Sequence, residues 1–87
     1  MDVEAATLIG PALIEAMKYI GAALAIGLGA IGPGIGIGIT VNGALNAFAR
    51  NPDMSGQITT NMFIGMAFAE ALAIFGLVIS LILLFVI

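Results

Sequence analysis

The residues able to do acid–base chemistry are few: five carboxylates and two basic side chains, with no histidine and no cysteine. Without thiols there is neither a disulfide framework nor a thiolate metal site. Without imidazole, only carboxylates can exchange protons near neutral pH. Four of the five acids have ordinary positions. Asp2 and Glu4 lie near the N-terminus, Glu15 stands three residues before Lys18, and Asp53 follows Arg50 across a turn signal. The fifth, Glu70, stands in "GMAFAEALAIFG", with no other charged residue between Asp53 and Ile87.

An ionised acid at the centre of an apolar helix in a bilayer costs about 2.5–3.5 kcal/mol. Lys18 and Arg50 lie near the edges of the apolar segments, so neither neutralises Glu70 from within its own chain. The uncharged carboxyl is the cheaper form there, because desolvation penalises the charge. A carboxyl that is neutral in hydrocarbon, and ionises when a cation or water comes near, is a proton carrier. One that never ionises is a structural hydrogen-bond donor. Ionisable residues inside membranes favour the first reading. Met66, Ala67, Ala73 and Ile74 are its same-face neighbours one turn away, all apolar. With no side-chain acceptor near in sequence, the carboxyl proton is expected on a backbone carbonyl or a water. Small alanines at 67, 69, 71 and 73 allow another helix to approach closely.

The elements that position this acid follow from composition. Of 87 residues, 62% are hydrophobic and 8% charged, with a mean hydropathy of +1.26. A soluble domain carries roughly 25% charged residues, and a small one leaves too much surface exposed to hide so many apolar side chains. The bilayer is the solvent that fits. The net charge of −3 is dispersed, and with no basic cluster a nucleic-acid partner is excluded. No nucleophile–base pair or metal-ligand cluster can be assembled, so no catalytic role is expected, nor any metal or other cofactor. The opening "MDVE" is acidic where a secretory signal needs positive charge, and no cleavable signal is expected.

Two apolar segments, 19–49 and 57–87, flank a polar loop at 50–56. At 1.5 Å per residue each is about 45 Å long, against roughly 30 Å of hydrocarbon. Backbone groups in lipid must satisfy one another, so both segments are expected to be helices. Asn51-Pro52-Asp53 supplies turn chemistry. The expected fold is an all-α transmembrane hairpin with both termini on one side. Residues 1–18 form either a solvated tail or the start of the first helix, with Gly10-Pro11 offering a break and Pro11 suited to a first helical turn. Arg50 and Lys18 lie near opposite faces, which leaves orientation by positive charge tied.

The first helix contains "GLGAIGPGIGIG", residues 27–38. Its match to the dinucleotide fingerprint at Gly27, Gly29 and Gly32 lacks the preceding strand and the acid about 20 residues on that such a site needs. Helical phase accounts for it better. At about 100° per residue, Gly27, Gly34 and Gly38 share one face with Ala23, while Gly29, Gly32, Gly36 and Gly43 share the opposite face with Ala25 and Ala47. Small faces admit close helix neighbours. Two of them suggest a neighbour on each side, and head-to-tail contacts between copies close into rings. A flexible span packed against unrelated helices is the plainer alternative. Two further faces remain: Leu24, Leu28, Ile31, Ile35, Ile39, Asn42 and Asn46 on one side, and Ile26, Ala30, Pro33, Ile37, Ala44 and Phe48 on the other. One is expected to face the second helix and one a ring interior; phase does not say which.

These residues resemble the c subunit, or proteolipid, of F-type ATP synthases. "GAIGPGIGIG", the loop "ARNPD" where that family usually has "ARQPE", and "FAEALAIFGLVISLILLF" carry the likeness, which covers the chain from about Ala22 to Ile87. The resemblance implies a homo-oligomeric ring of hairpins in membrane lipid, the Gly-rich helix inside and the acid-bearing helix outside. It implies reversible protonation of Glu70, with Ile37, Met66, Ala67, Phe68, Ala71, Ile74 and Phe75 surrounding the site. It implies a stator a subunit with an essential arginine, where Glu70 releases its proton. It also implies a cytoplasmic loop, in which Arg50, Asn51, Pro52 and Asp53 meet the gamma and epsilon subunits of a central stalk, with the termini on the opposite side. The setting would be an energy-transducing membrane, a bacterial plasma membrane first and an organellar one second, with ATP made on a separate catalytic head. Sodium-carrying relatives place a glutamine on the first helix, a Ser or Thr after the acid and a tyrosine one turn later. The matching positions here are Ile37, Ala71 and Phe75, which offer no side-chain oxygen to a hard cation, so protons are expected. The rival classes are a holin-like pore-forming hairpin and a purely structural membrane hairpin.

Overall fold

In a computed structural model, which describes residues 2–87, the chain is two antiparallel helices. Helix α1 spans Val3–Arg50 and helix α2 spans Ser55–Phe85, joined by one 3-10 turn at Pro52–Met54. Both helices are long and apolar enough to cross a membrane. The body measures 73 × 20 × 9 Å.

Helix α1 starts well before the Gly10-Pro11 step. The Asp2 carboxylate accepts from the Ala5 N–H at 2.7 Å, the Asp2 carbonyl accepts from the Ala6 N–H at 2.9 Å, and Glu4 lies in the first turn. The side-chain bond satisfies one of the free amides of the first turn, and both acids complement the positive helix end. Ala5 and Ala6 are strong helix formers. Pro11 deprives only the Thr7 carbonyl of its helical donor, and both residues are exposed, so water can replace it. Pro33 likewise gives no N–H to the Gly29 carbonyl.

The turn is built by Pro52. Asn51, the residue before it, leaves helical geometry at φ −136°, as the steric demand of a following proline requires. Its N–H still bonds the Ala47 carbonyl at 2.8 Å, and its own carbonyl accepts from Met54 at 3.0 Å. The Ser55 N–H then donates to the Pro52 carbonyl, so the chain reverses with the Asn51, Met54 and Ser55 amides bonded.

Almost no core exists within one hairpin. Among the described residues only Ala22, Ala44 and Ser80 are buried. The helices meet along Ala22, Ala25, Ile26, Gly29, Pro33, Gly36, Ile37, Thr40, Ala44, Ala47 and Phe48 of α1, which are buried or half-buried. Most of the Ile26-to-Phe48 face therefore turns to α2, although Ala30 is exposed. Leu24 through Asn46 on the other side are all exposed. Part of one glycine face is used inside the hairpin as well. Gly29 and Gly36 are half-buried, and a methyl on Gly29 would stand 3.5 Å from the Gly76 Cα.

Register is fixed at three levels. The Ser80 hydroxyl donates to the Ala22 carbonyl. A methyl on Gly76 would lie 2.7 Å from the Ala25 carbonyl oxygen, and one on Gly65 would lie 3.5 Å from Thr40 Cγ2. Glycine at 76 lets the two backbones touch.

Candidate functional site

Glu70 stands midway along α2, between the Gly65–Thr40 and Gly76–Ala25 contacts. That places it level with the stretch of α1 around Pro33 to Gly36. The α2 residues turned toward α1, among them Ile58, Met62, Gly65, Ala69, Ala73, Gly76 and Ser80, are buried or half-buried. At about 100° per residue, Glu70 lies roughly a quarter-turn from the centre of that face. It is exposed on the flank of the hairpin. Among the described residues it takes part in none of the side-chain hydrogen bonds.

The surrounding residues divide between two sides. Met66, half-buried, and the exposed Ala67 and Ile74 lie on or near the flank of Glu70. Phe68 and Phe75 are exposed on the other flank of α2, with Ala71 half-buried on the side away from α1. Ile37 is half-buried on the α1 side of the helix contact. One hairpin therefore does not gather these residues around the carboxyl. Phe68 and Phe75 lie too far around α2 to line the carboxyl of their own chain.

Gly27, Gly32, Gly34, Gly38 and Gly43 are exposed, and a methyl on any of them, or on Gly36, would meet nothing within 4 Å. Arg50, Asn51, Pro52 and Asp53 are exposed at the turn. An open groove of about 300 Å³ lies near that end, lined by Thr40, Gly43, Ala44, Ala47, Ile58, Asn61 and Met62. It does not include Glu70.

Two contributors are not apparent from helical phase alone. Ser80 is the one hydroxyl residue after Thr60 in the second helix, and a lone hydroxyl in hydrocarbon needs an acceptor. Gly76 ends the quoted motif and admits the closest backbone approach. Both lie along the same face of α2, within three turns of Glu70, and hold it at a fixed height on α1.

A family model for the c subunit of ATP synthase matches residues 20–83. Similar curated proteins include the ATP synthase c subunit of Chloroflexus aurantiacus, 60% identical over 42 residues, 48% of this chain and 55% of the relative. The c subunit of Dehalococcoides mccartyi is 59% identical over 44 residues, 51% of this chain and 58% of the relative. That of Aquifex aeolicus is 51% identical over 76 residues, 87% of this chain and 76% of the relative. The matched segment spans about half the length of the first two relatives. With the family match running through both helices and the turn, the chain belongs to the c-subunit family of ATP synthases.

Proposed function

We propose that the chain is the ion-carrying unit of a rotor ring in the membrane sector of an ATP synthase, and that Glu70 is the group that binds and releases the ion. The observation that carries this reading is the position of Glu70: one acid, midway along an apolar helix, exposed on a flank and, among the described residues, in none of the side-chain hydrogen bonds. Docked flank to flank, identical hairpins would bring the Phe68 and Phe75 side of one copy toward the Glu70 side of the next. The exposed glycines of α1 leave room for the inner helices to approach at the same time.

In this mechanism the protonated carboxyl travels through hydrocarbon, where its uncharged form is cheap. Beside the arginine of a stator a subunit it ionises, since an adjacent cation favours the carboxylate. Reprotonation from a second half-channel readies it for lipid again. The charged form re-enters hydrocarbon only at a cost of about 2.5–3.5 kcal/mol, so thermal motion of the ring is rectified. The exposed turn at Arg50 to Asp53 suits a docking surface for the gamma and epsilon subunits, which would place it on the cytoplasmic side of an energy-transducing membrane. Rotation there would drive ATP synthesis on a separate catalytic head.

Protons are the proposed cargo. Ile37, Ala71 and Phe75, where sodium-carrying relatives offer oxygen ligands, supply none, and a hard cation needs several. The deciding experiment is proton flux in proteoliposomes holding the assembled complex. Glu70→Gln should abolish flux while the ring still assembles; retained flux would overturn the reading.

A further inference from the structure

The first four turns of α1 project past the end of α2, and they are not built like a solvated tail. Gly21 faces Leu83 across the hairpin. By antiparallel register Ile87 is then level with about Met17, and the Val86 and Ile87 N–H groups both close on the Ile82 carbonyl. Residues 3–16 continue alone for about 21 Å at 1.5 Å per residue. Continuing a formed helix, these turns need no new nucleus, but without a packed face they are the ones that fray.

The chemistry of the projecting helix changes with angle. Glu4, Thr7, Pro11, Glu15 and Lys18 recur at helical spacing and continue the stripe of α1 that faces α2 lower down. Where α2 is absent, that stripe turns mostly polar, with Leu8 the one large apolar side chain on it. The Tyr19 hydroxyl donates to Glu15 at 3.1 Å beside it. The back of the same turns continues the exposed apolar face of the span. Leu13, Met17 and Ile20 are 57%, 55% and 51% exposed, and Ala12 and Ile14 are exposed on the two flanks.

We propose that residues 3–20 of neighbouring copies pack side by side into a helical collar standing above the membrane end of the ring, polar stripe outward and apolar face inward. This rests on the ring reading, because the ring is what brings the projecting helices together. Two observations choose a second copy over a lipid surface as the occupant. Helices that lie on membranes carry lysine and arginine on the polar face, whereas this stripe holds Glu4 and Glu15 against one lysine, below the Asp2 cap. The polar stripe also lies on the α2 side, so the acids of adjacent copies point away from the contact between them.

The chain has no cysteine, which makes disulfide trapping clean. Ala12 and Ile14 lie on opposite flanks, so in a full-length Ala12→Cys/Ile14→Cys chain each copy presents one thiol to either neighbour. The intact ring, its mass verified under native conditions, is oxidised with copper phenanthroline and run on a denaturing gel. The expected result is a ladder of cross-linked multimers, with Glu4→Cys/Thr7→Cys on the outward stripe remaining monomeric. A monomeric Ala12/Ile14 variant in an intact ring overturns the collar, as does equal laddering of the outward pair. Free labelling of those flank cysteines by a water-soluble maleimide means a solvated tail. Labelling only by a lipid-soluble reagent means a membrane-surface helix. Either result overturns the proposal. Failure to find any ring with the unsubstituted chain removes the proposed function itself, and the collar with it.

Discussion

Gly76 and Ala25 touch backbone to backbone: a methyl placed on Gly76 would stand 2.7 Å from the Ala25 carbonyl oxygen. No flexible side chain lies in that contact to give way. The approach of the two helices is therefore set by the absence of a single carbon.

Gly76→Ala should push the helices apart. Overpacking of this kind costs about 1–3 kcal/mol, which meets or exceeds the gain of about 1 kcal/mol in helix propensity. Gly65→Ala provides the contrast, since its methyl would meet Thr40 at the ordinary distance of 3.5 Å and should be tolerated. Thermal dissociation of the assembled protein reads both. Equal midpoints for the two variants would mean that close approach at Gly76 contributes nothing.

Ser80→Ala removes the hydroxyl that bridges to the Ala22 carbonyl. Hydrogen bonds between membrane helices contribute about 0.6 kcal/mol on average and up to about 1.7. A loss in that range is expected in a detergent-unfolding titration, without loss of helix content. An unaltered titration curve would show the bond to be energetically idle.

Labelling by a hydrophobic carbodiimide should select Glu70. The reagent needs a protonated carboxyl, and a carboxylate in water near neutral pH is ionised and unreactive. Modification should map to the peptide containing Glu70 and slow as pH rises. Protection by sodium ions would instead favour a sodium-carrying ring, and labelling spread evenly over all five acids would remove the distinction drawn for Glu70.

Asp2→Ala should loosen the start of α1, because the Asp2 carboxylate caps the Ala5 amide at 2.7 Å. Loss of a cap costs about 1 kcal/mol. Amide exchange across the first turn should speed up by roughly fivefold for that energy, while exchange near Glu70 stays unchanged.

The hairpin and its turn are legible in the sequence because lipid leaves a backbone few options and Asn51-Pro52-Asp53 is the one polar stretch between the apolar runs with turn chemistry. The assignment of faces on α1 is not. Leu24 to Asn46 and Ile26 to Phe48 are both largely apolar stripes, and a partner helix, another copy and a lipid chain all make the same demand on a side chain. Only contact geometry separates them, and it turns most of the second stripe toward α2. Helical phase groups Gly29 with Gly32 on one face, yet Gly29 packs opposite Gly76 and Gly32 stays open. The Ser80 hydroxyl is a usable signal in so apolar a run, but nothing in the sequence names its acceptor 58 residues away. The start of α1 is ambiguous because Pro11 looks like a boundary, whereas Asp2, Glu4 and the alanines after them outweigh it.

A hairpin whose backbone is only 9 Å through its thinnest dimension has almost no interior of its own. Little beyond one shared face holds its two helices together, so in a ring the neighbouring copies would supply much of the packing that resists their separation. Substitutions that look harmless on a solitary hairpin are repeated at every seam of the assembly, and their energies accumulate with each copy.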